Sequence, residues 1–454
     1  MTWVDSISTI KKMRRAIILC ALALVVFLAA FLFFKEYKKT SLGPVIILGI
    51  DGADWNIINP LFERGKLPHL ARLVEEGSSG VLETIRPTKS PVIWTSIATG
   101  KNMQKHGILD WVYIDDNNNQ IPYSGDDVKV KTFWEILGED NFTTGVINWF
   151  CTFPAEEVNG YLISDRFRVS IDQYLTEEDV TYPPELKDAV YPKVVKVEDK
   201  KYLELIRKEG IVDYWAHYKN LAQTLPKKVR RKIRFFRRFV IQEKSIENVT
   251  LFLQDKVQVD VLAAYFRLID PTSHFAGAFL DKNLDSKWRA ENSVHGEPLP
   301  DTEKSLYQNM ASIVEPVYTY TDNIIGRIVS HAPPNTTVVI VSDHGFNFSS
   351  FGYSHYETKK LANGIVIMNG PGIKAGFTLH NAHVYDVTPT LLYLFSLPVA
   401  EDMDGKVLID AFRSKKNVAR VATYETGKKA IKAKKKKALD NEMLEDLRSL
   451  GYIE

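Results

Sequence analysis

Six side chains with metal-binding chemistry lie at the ends of short apolar stretches, although they are far apart in the sequence. They are Asp51, Asp270, His274, Asp343, His344 and His355. Carboxylate oxygens and neutral imidazole nitrogens suit Zn²⁺, and two ions about 3.5–4 Å apart can share such ligands. Three Asp and three His divide evenly into two groups, which leaves positions open for a nucleophile and a substrate oxygen. The pattern therefore predicts a two-metal site.

The apolar stretches that must position these side chains are typical of strands buried on both faces of a parallel sheet. They are Val45–Ile50, Thr144–Asn148, Val259–Leu268, Thr336–Val341 and Gly364–Met368. Helical patterns such as Leu61–Glu76 and Tyr318–Ser330 lie between them. This alternation predicts an α/β domain with helices on both faces of the sheet. In such a sheet, ligands gather outside the carboxyl ends of the strands, where the six side chains would meet.

A long charged segment, about residues 165–257, interrupts the alternation and is predicted to be an inserted helical cap near the active-site face. Within it, Lys227 to Arg238 carries eight basic residues interleaved with apolar ones. This pattern is compatible with a helix on an anionic membrane surface, with a phosphate-facing patch, and with an ordinary solvated helix face.

Composition narrows the classes of function. The chain has 454 residues, of which 45% are apolar and 25% charged, and its net charge of +2 gives no case for a nucleic-acid partner. Its two cysteines exclude a disulfide framework and a cysteine-based zinc site. Any metal must therefore be bound by His and carboxylates.

The first 40 residues carry seven Lys/Arg and two acids, and Ala16–Phe34 is a run of 19 residues without charge. That length is just sufficient to cross a bilayer core of roughly 30 Å. The run predicts an uncleaved single-pass anchor with a cytoplasmic N-terminus, which places residues 41–425, the catalytic domain, outside the cytoplasm. A cleaved signal peptide and a buried helix are the alternatives. The remaining residues, 426–454, form a Lys-rich tail that is predicted to be exposed.

Longer motifs resemble the type I phosphodiesterase/nucleotide pyrophosphatase family of the alkaline-phosphatase superfamily. They are Asp51-Gly52, Pro87–Gly100, His106-Gly107-Ile108, Asp270–His274, Ser342–Gly345, Asn369–Ile373, Val387–Leu392 and Met403-Asp404-Gly405. They occur in the family's order and span about residues 44–410, with a gap over the predicted cap. The resemblance implies an alkaline-phosphatase-like, mostly parallel sheet.

The resemblance also implies roles for individual residues. Ser90 occupies the nucleophile position, which is Thr in many relatives. Asp51, Asp343 and His344 would bind the metal ion that also contacts Ser90, and a second ion would be bound by Asp270, His274 and His355. Both ions are expected to be Zn²⁺, with Mn²⁺ as the alternative. Hydrolysis of a phosphate ester would then pass through a phosphoseryl intermediate.

Two further positions bear on the substrate. Lys89 precedes the nucleophile position, and Ile93 stands where nucleotide-cleaving relatives often carry an amide side chain. Both are predicted substrate-binding positions, and the apolar Ile93 argues against nucleotide specificity. The anchor and the basic segment favour a lipid or lipid-linked phosphate ester as substrate.

Other activities are compatible with the same motifs. Ser90 is not followed by the Pro and Arg of the sulfatase maturation motif, which argues against a sulfatase. A phosphomonoesterase, a phosphotransferase that passes the phosphate to an alcohol, and a non-catalytic binding protein on the same fold remain as alternatives.

Overall fold

The computed structural model describes residues 43–167, 178–195, 227–276, 313–349, 352–354 and 361–426. The predicted anchor at residues 16–34, His355 and the Lys-rich tail from residue 427 onward lie outside these ranges. Within them, no helix combines the length and the apolar character that crossing a bilayer requires.

Strands and helices alternate along most of the described chain. The strands are β1 (Val45–Ile50), β2 (Ser78–Glu83), β3 (Val112–Ile114), β4 (Gln120–Pro122), β5 (Thr144–Ile147), β6 (Gly160–Ile163), β7 (Thr181–Tyr182), β8 (Val261–Phe266), β9 (Thr337–Val341), β10 (Asn347–Ser349), β11 (Gly352–Ser354), β12 (Gly364–Asn369), β13 (Phe377–His383), β14 (Val399–Ala400) and β15 (Arg420–Val421). The α-helices are α1 (Trp55–Glu63), α2 (Pro68–Glu75), α3 (Ser90–Thr99), α4 (Met103–His106), α5 (Phe133–Glu139), α6 (Leu186–Val190), α7 (Lys227–Lys256), α8 (Ile269–Ala276), α9 (Val314–Ser330) and α10 (Val387–Leu394).

Nine of the described strands form one sheet in the order β13-β2-β12-β9-β1-β8-β5-β6-β7. Strands β9, β1, β8, β5 and β6 are parallel neighbours. Strand β12 is antiparallel to both β9 and β2, and β13 is parallel to β2, so β2 and β13 run in the same direction as the central strands. Strand β7 is antiparallel at the far edge. The prediction of a mostly parallel central sheet is confirmed.

The two faces of the sheet are buried under different helices. Alternate residues of β1 point to opposite faces, so Ile46 and Leu48 belong to one hydrophobic cluster and Val45 and Ile47 to the other. Helices α1, α2, α7 and α9 contribute to the first cluster, and helices α3, α5 and α10 to the second. Because both faces are covered, the strands are apolar throughout, as the sequence predicted.

One predicted helix, Leu61–Glu76, is wrong, because the structure divides this region into α1 and α2. Gly65 lies between them with φ of +64°, in the left-handed region that ends helices. Pro68 then begins α2, where its missing N–H costs no helical hydrogen bond. The prediction of a helix at Tyr318–Ser330 is confirmed, since α9 includes it.

The predicted cap at residues 165–257 is too long at both ends. Strand β7 joins the central sheet. Helix α7 runs for 30 residues, and its second half packs into the first hydrophobic cluster through Ile246, Val249 and Leu253. These residues are spaced by three and four positions, so they share one face of the helix. The central part of the predicted cap, residues 196–226, lies outside the described residues and stays a prediction.

Gly49 of β1 is a site at which added volume should destabilise the fold. A Cβ atom there would lie 2.7 and 2.8 Å from two ring atoms of Trp94, which is completely buried. We expect Gly49→Ala to lower the free energy of unfolding by about 1–3 kcal/mol, measured by urea denaturation, because the indole must move within a packed core. Gly138→Ala is the control, since its Cβ would be 3.4 Å from the nearest atom. Equal transition midpoints for the two variants would contradict this account.

Candidate functional site

Three adjacent central strands bring together five of the six predicted metal ligands. Asp51 directly follows β1, and its amide donates to the carbonyl of Phe266, the last residue of β8, at 2.9 Å. Asp343 and His344 follow β9, the neighbour of β1 on its other side. Asp270 and His274 lie on α8, which follows β8. Carboxyl ends of neighbouring parallel strands meet at one edge, which is why residues about 290 positions apart lie in contact.

His344 lies at the centre of this group. Its Nε2 atom is 3.4 Å from Asp51 Oδ1, 3.4 Å from Asp343 Oδ2 and 3.8 Å from Asp270 Oδ1. Asp270 Oδ1 is in turn 3.4 Å from His274 Nε2. Asp51, Asp343 and His344 are buried, and each offers one ligand atom within 4.8 Å of the others. These distances suit residues that converge on a common cation.

The turns after β1 and β9 fix this geometry. Gly52 has φ of +73°, and a Cβ atom there would lie 2.9 Å from the Phe346 ring and 3.0 Å from Asp270 Cα. Glycine therefore lets the two strand ends approach each other. The Ala53 amide donates to Ser342 Oγ at 2.9 Å, and that hydroxyl donates to the His344 carbonyl at 2.8 Å. The backbone around the ligands is thus tied together before any ion binds.

The electrostatics of the group also favour a cation. Burial by itself lowers the pKa of His344, but the negative charges of Asp343, Asp51 and Asp270 outweigh it and raise that pKa to about 10. Burial and the charge of Asp51 raise the pKa of Asp343 well above its usual range. Asp51 Oδ1 and Asp343 Oδ2 are buried without a hydrogen-bond partner among the described residues. Burying such charge is costly unless a positive ion offsets it, so these residues fit a divalent metal ion.

Tyr265 of β8 is a functional residue that the sequence reasoning missed. Its hydroxyl donates to Asp51 Oδ2, which leaves Asp51 Oδ1 facing His344. The Tyr265 ring is packed between Trp94 and Phe150, with ring centroids 5.0 and 5.1 Å away. A tyrosine within a fully buried strand was the available signal, because its hydroxyl must find a partner. Tyr265 therefore orients the Asp51 carboxylate.

We expect Tyr265→Phe to lower metal affinity or kcat/KM roughly 10- to 100-fold, because residues that orient metal ligands commonly have effects of that size. Metal titration and steady-state kinetics on the same preparation would measure both. Tyr161→Phe is a matched control, since the Tyr161 hydroxyl is buried without a hydrogen-bond partner among the described residues. The assignment fails if the two variants have the same metal affinity and the same activity.

Glu243 of α7 is a second missed residue. It is 1% exposed, and its carboxylate accepts hydrogen bonds from the amides of Arg267 at 3.1 Å and Leu268 at 3.2 Å. These two amides directly precede α8, the helix that carries Asp270 and His274. Burial raises the pKa of Glu243 to about 7, although the two amides and Arg267 lower it. Glu243 thus holds the start of α8 in place.

Ser90, the predicted nucleophile, is the first residue of α3. It is 1% exposed, and its hydroxyl has no hydrogen-bond partner among the described residues. Trp94, one turn further along α3, packs edge-on against Tyr265 at 5.0 Å. The helix is therefore anchored to the tyrosine that holds Asp51, and the positive N-terminal end of its dipole lies at Ser90, which favours an anion there.

The two predicted substrate-binding positions differ in their surroundings. Lys89 is the residue before α3, and its ammonium group is paired with Asp110. Ile93 is completely buried within the second hydrophobic cluster, where core packing stabilises its apolar side chain, and its contact with the substrate stays a prediction. Trp94 and Trp149 are likewise core residues, with ring centroids 5.2 Å apart.

Comparisons with known proteins identify the family and agree with the fold. The family model for type I phosphodiesterase/nucleotide pyrophosphatase matches residues 45–387. Among solved structures, a 2-O GAG sulfatase superimposes with a TM-score of 0.53 at 12% identity, covering 83% of this chain and 76% of that chain. Human ectonucleotide pyrophosphatase/phosphodiesterase 5 gives a TM-score of 0.47 at 11% identity, covering 82% of this chain and 100% of that one.

A phosphonate monoester hydrolase from Silicibacter pomeroyi gives a TM-score of 0.47 at 14% identity, with 81% of this chain and 76% of that chain covered. No curated protein matches the sequence. At these identities the structural likeness to the sulfatase shows a shared fold alone. The family model covers most of the chain and includes Ser90 and the five described ligands. The chain therefore belongs to the type I phosphodiesterase/nucleotide pyrophosphatase family and is a phosphoric ester hydrolase of the alkaline-phosphatase superfamily.

Proposed function

We propose that the chain hydrolyses phosphodiesters by a two-step reaction at Ser90, with two divalent metal ions bound beside it. The observation that carries the proposal is the buried group of Asp51, Asp343 and His344, whose ligand atoms lie within 4.8 Å of one another. One ion would be bound by these three residues and Ser90. The other would be bound by Asp270, His274 and His355, of which His355 lies outside the described residues. The predicted metal is Zn²⁺, with Mn²⁺ as the alternative.

Each step assigns a task to residues of this chain. Ser90 Oγ attacks phosphorus in line and displaces one ester oxygen as an alcohol, which forms a phosphoseryl intermediate. Water then attacks that phosphorus from the opposite side and releases Ser90. The ions, when bound, supply positive charge that favours the Ser90 alkoxide and the departing oxygen. The positive N-terminal end of α3 favours the negative charge of a phosphate bound at Ser90, and Tyr265 keeps Asp51 in position for both steps.

Metal removal tests this proposal. The purified full-length protein would be assayed on bis(p-nitrophenyl) phosphate, p-nitrophenyl phosphate and p-nitrophenyl sulfate. We expect turnover of a phosphate ester that EDTA abolishes and that Zn²⁺ or Mn²⁺ restores, with about two ions bound per chain by metal analysis. Turnover that persists in metal-free protein, or a preference for the sulfate ester, would overturn the proposal. A preference for the monoester would favour the phosphomonoesterase alternative.

We further propose that residues 16–34 anchor the chain in a membrane, with the catalytic domain outside the cytoplasm, where it meets lipid or lipid-linked phosphate esters. The uncharged run and its flanking Lys and Arg residues support this location. Activity on phospholipid vesicles should exceed activity on matched soluble esters. Equal activity on both would remove the support for a lipid substrate, and release of the full-length protein from membranes by alkaline carbonate would remove the support for the anchor.

A further inference from the structure

The residue before the nucleophile position is held firmly at the start of α3. Lys89 has extended φ and ψ angles of −124° and 122°, and its carbonyl accepts from the amides of Val92 at 3.0 Å and Ile93 at 3.1 Å. Its backbone is therefore fixed by the helix that begins at Ser90. Its side chain is 26% exposed, so the ammonium group lies at the boundary between the protein and the solvent.

That ammonium group is paired with a carboxylate from a later segment. Asp110 Oδ2 contacts Lys89 Nζ, and Asp110 Oδ1 accepts from the Trp111 amide at 2.6 Å. The segment before Asp110 is attached to α3, since His106 Nδ1 accepts from the Ile108 amide at 3.2 Å and His106 Nε2 lies 2.9 Å from Ser96 Oγ. Asp110 is therefore placed by several contacts, and its pairing with Lys89 is built into the local structure.

Aromatic contacts connect the same segment to the metal-binding group. The Trp111 ring packs edge-on against Phe150 at 5.6 Å, and Phe150 packs against Tyr265 at 5.1 Å. Tyr265 in turn donates to Asp51. Asp110 and Trp111 thus connect Lys89, the residue that precedes Ser90, to the aromatic side chains that support Asp51.

Two further lysines follow the C-terminal end of α3 in the chain, and both are paired with carboxylates. Lys101 Nζ lies 2.8 Å from Asp402 Oδ2 and 3.0 Å from Glu425 Oε1, and Lys105 Nζ lies 2.7 Å from Asp404 Oδ1. Every lysine from residue 89 to residue 105 is therefore paired with a carboxylate. A phosphodiester carries one negative charge, whereas a phosphate monoester carries nearly two near neutral pH, because its second pKa is about 6. Paired lysines add little net attraction for that second charge.

We propose that the Lys89–Asp110 ion pair determines specificity, by neutralising the lysine beside Ser90 so that the site takes singly charged phosphodiesters in preference to doubly charged monoesters. This inference rests on the proposed function, because it assumes that the phosphate group binds at Ser90. It concerns the charge of the substrate and leaves the metal ligands unchanged.

A double-variant cycle tests the inference. The measured quantity is the ratio of kcat/KM for p-nitrophenyl phosphate to kcat/KM for bis(p-nitrophenyl) phosphate, in the metal-loaded full-length protein. Asp110→Asn keeps the acceptor for the Trp111 amide but leaves Lys89 unpaired, so the ratio should rise about tenfold. Lys89→Met leaves the Asp110 carboxylate unpaired, so the ratio should fall about tenfold. The double variant should return to the wild-type ratio, and added salt should reduce both shifts.

The control is Asp410→Asn, which removes a carboxylate from another lysine–aspartate pair, the exposed one between Asp410 and Lys415. Its ratio should equal that of the wild type. The inference is overturned if the two single variants shift the ratio in the same direction, if neither shifts it, or if the Asp110→Asn shift persists in the double variant. Wild-type protein that turns over neither ester would instead overturn the proposed function, so the two failures are distinguishable.

Discussion

Ser90→Ala should lose at least about 10³-fold in kcat on a phosphodiester, because removing a covalent nucleophile leaves only the binding and electrostatic contributions to catalysis. Metal content should stay close to that of the wild type, since five carboxylate and imidazole ligands remain in the described residues. Loss of turnover with metal retained would separate the chemical role of the hydroxyl from a structural one. Steady-state kinetics and metal analysis on one preparation would measure both.

Ser90→Thr is the matched control, because it keeps a hydroxyl at the first position of α3. It should retain measurable turnover and form the same covalent intermediate, trapped by rapid acid quench and detected as phosphothreonine by mass spectrometry. If Ser90→Ala were as active as the wild type, water or another residue would be the nucleophile. The two-step reaction would then be wrong, although the metal site would not be affected.

Glu247→Ala should lower the free energy of unfolding by about 3–5 kcal/mol, the usual cost of removing one partner of a buried ion pair. Glu247 of α7 is completely buried, and its carboxylate lies 2.6 Å from Arg327 Nε and 2.9 Å from Lys244 Nζ. It also accepts from the Tyr320 hydroxyl at 2.9 Å. Its removal leaves the buried phenol without this acceptor and removes a charged contact between α7 and α9, which stay joined by the hydrogen bond from Gln254 Nε2 to the Ile328 carbonyl at 3.2 Å.

Chemical denaturation followed by far-ultraviolet circular dichroism would measure this loss. Glu76→Ala is the control, because the Arg72–Glu76 pair is exposed on α2 and should contribute no more than about 1 kcal/mol. Glu247→Gln should be intermediate, since an amide oxygen still accepts from Tyr320 but carries no charge. If Glu247→Ala and Glu76→Ala had the same midpoint, the buried network would contribute nothing to stability.

The grouping of Asp51, Asp343 and His344 was predictable because these residues follow the ends of strands that are apolar along their whole length. Asp51 comes directly after β1, and one residue separates Asp343 from the end of β9. The topology of a parallel sheet therefore brings the two residues together. Sequence spacing gives no such information about residues inside an element. Tyr265 lies within β8 and Glu243 within α7, and their partners are evident only once β8 lies beside β1 and α7 covers the sheet.

The predictions that failed did so for local reasons. The prediction of the cap relied too much on the charge of this segment. Its residues Ile246, Val249 and Leu253 already had the spacing of a helix face that packs on a sheet. The predicted helix at Leu61–Glu76 overlooked Gly65 and Pro68, which together are a strong signal for a break.

The strand order also has a consequence for the synthesis of this protein on the ribosome. Strand β1 is the first in the sequence, yet it lies between β8 and β9, and Val45 pairs with Thr337. At roughly 5–20 residues per second, about 15–60 s pass between the emergence of β1 and that of its second partner. Throughout that interval β1, which is entirely apolar, lacks its neighbour β9. We therefore expect the nascent chain to depend on chaperones that shield β1 until the central sheet can close.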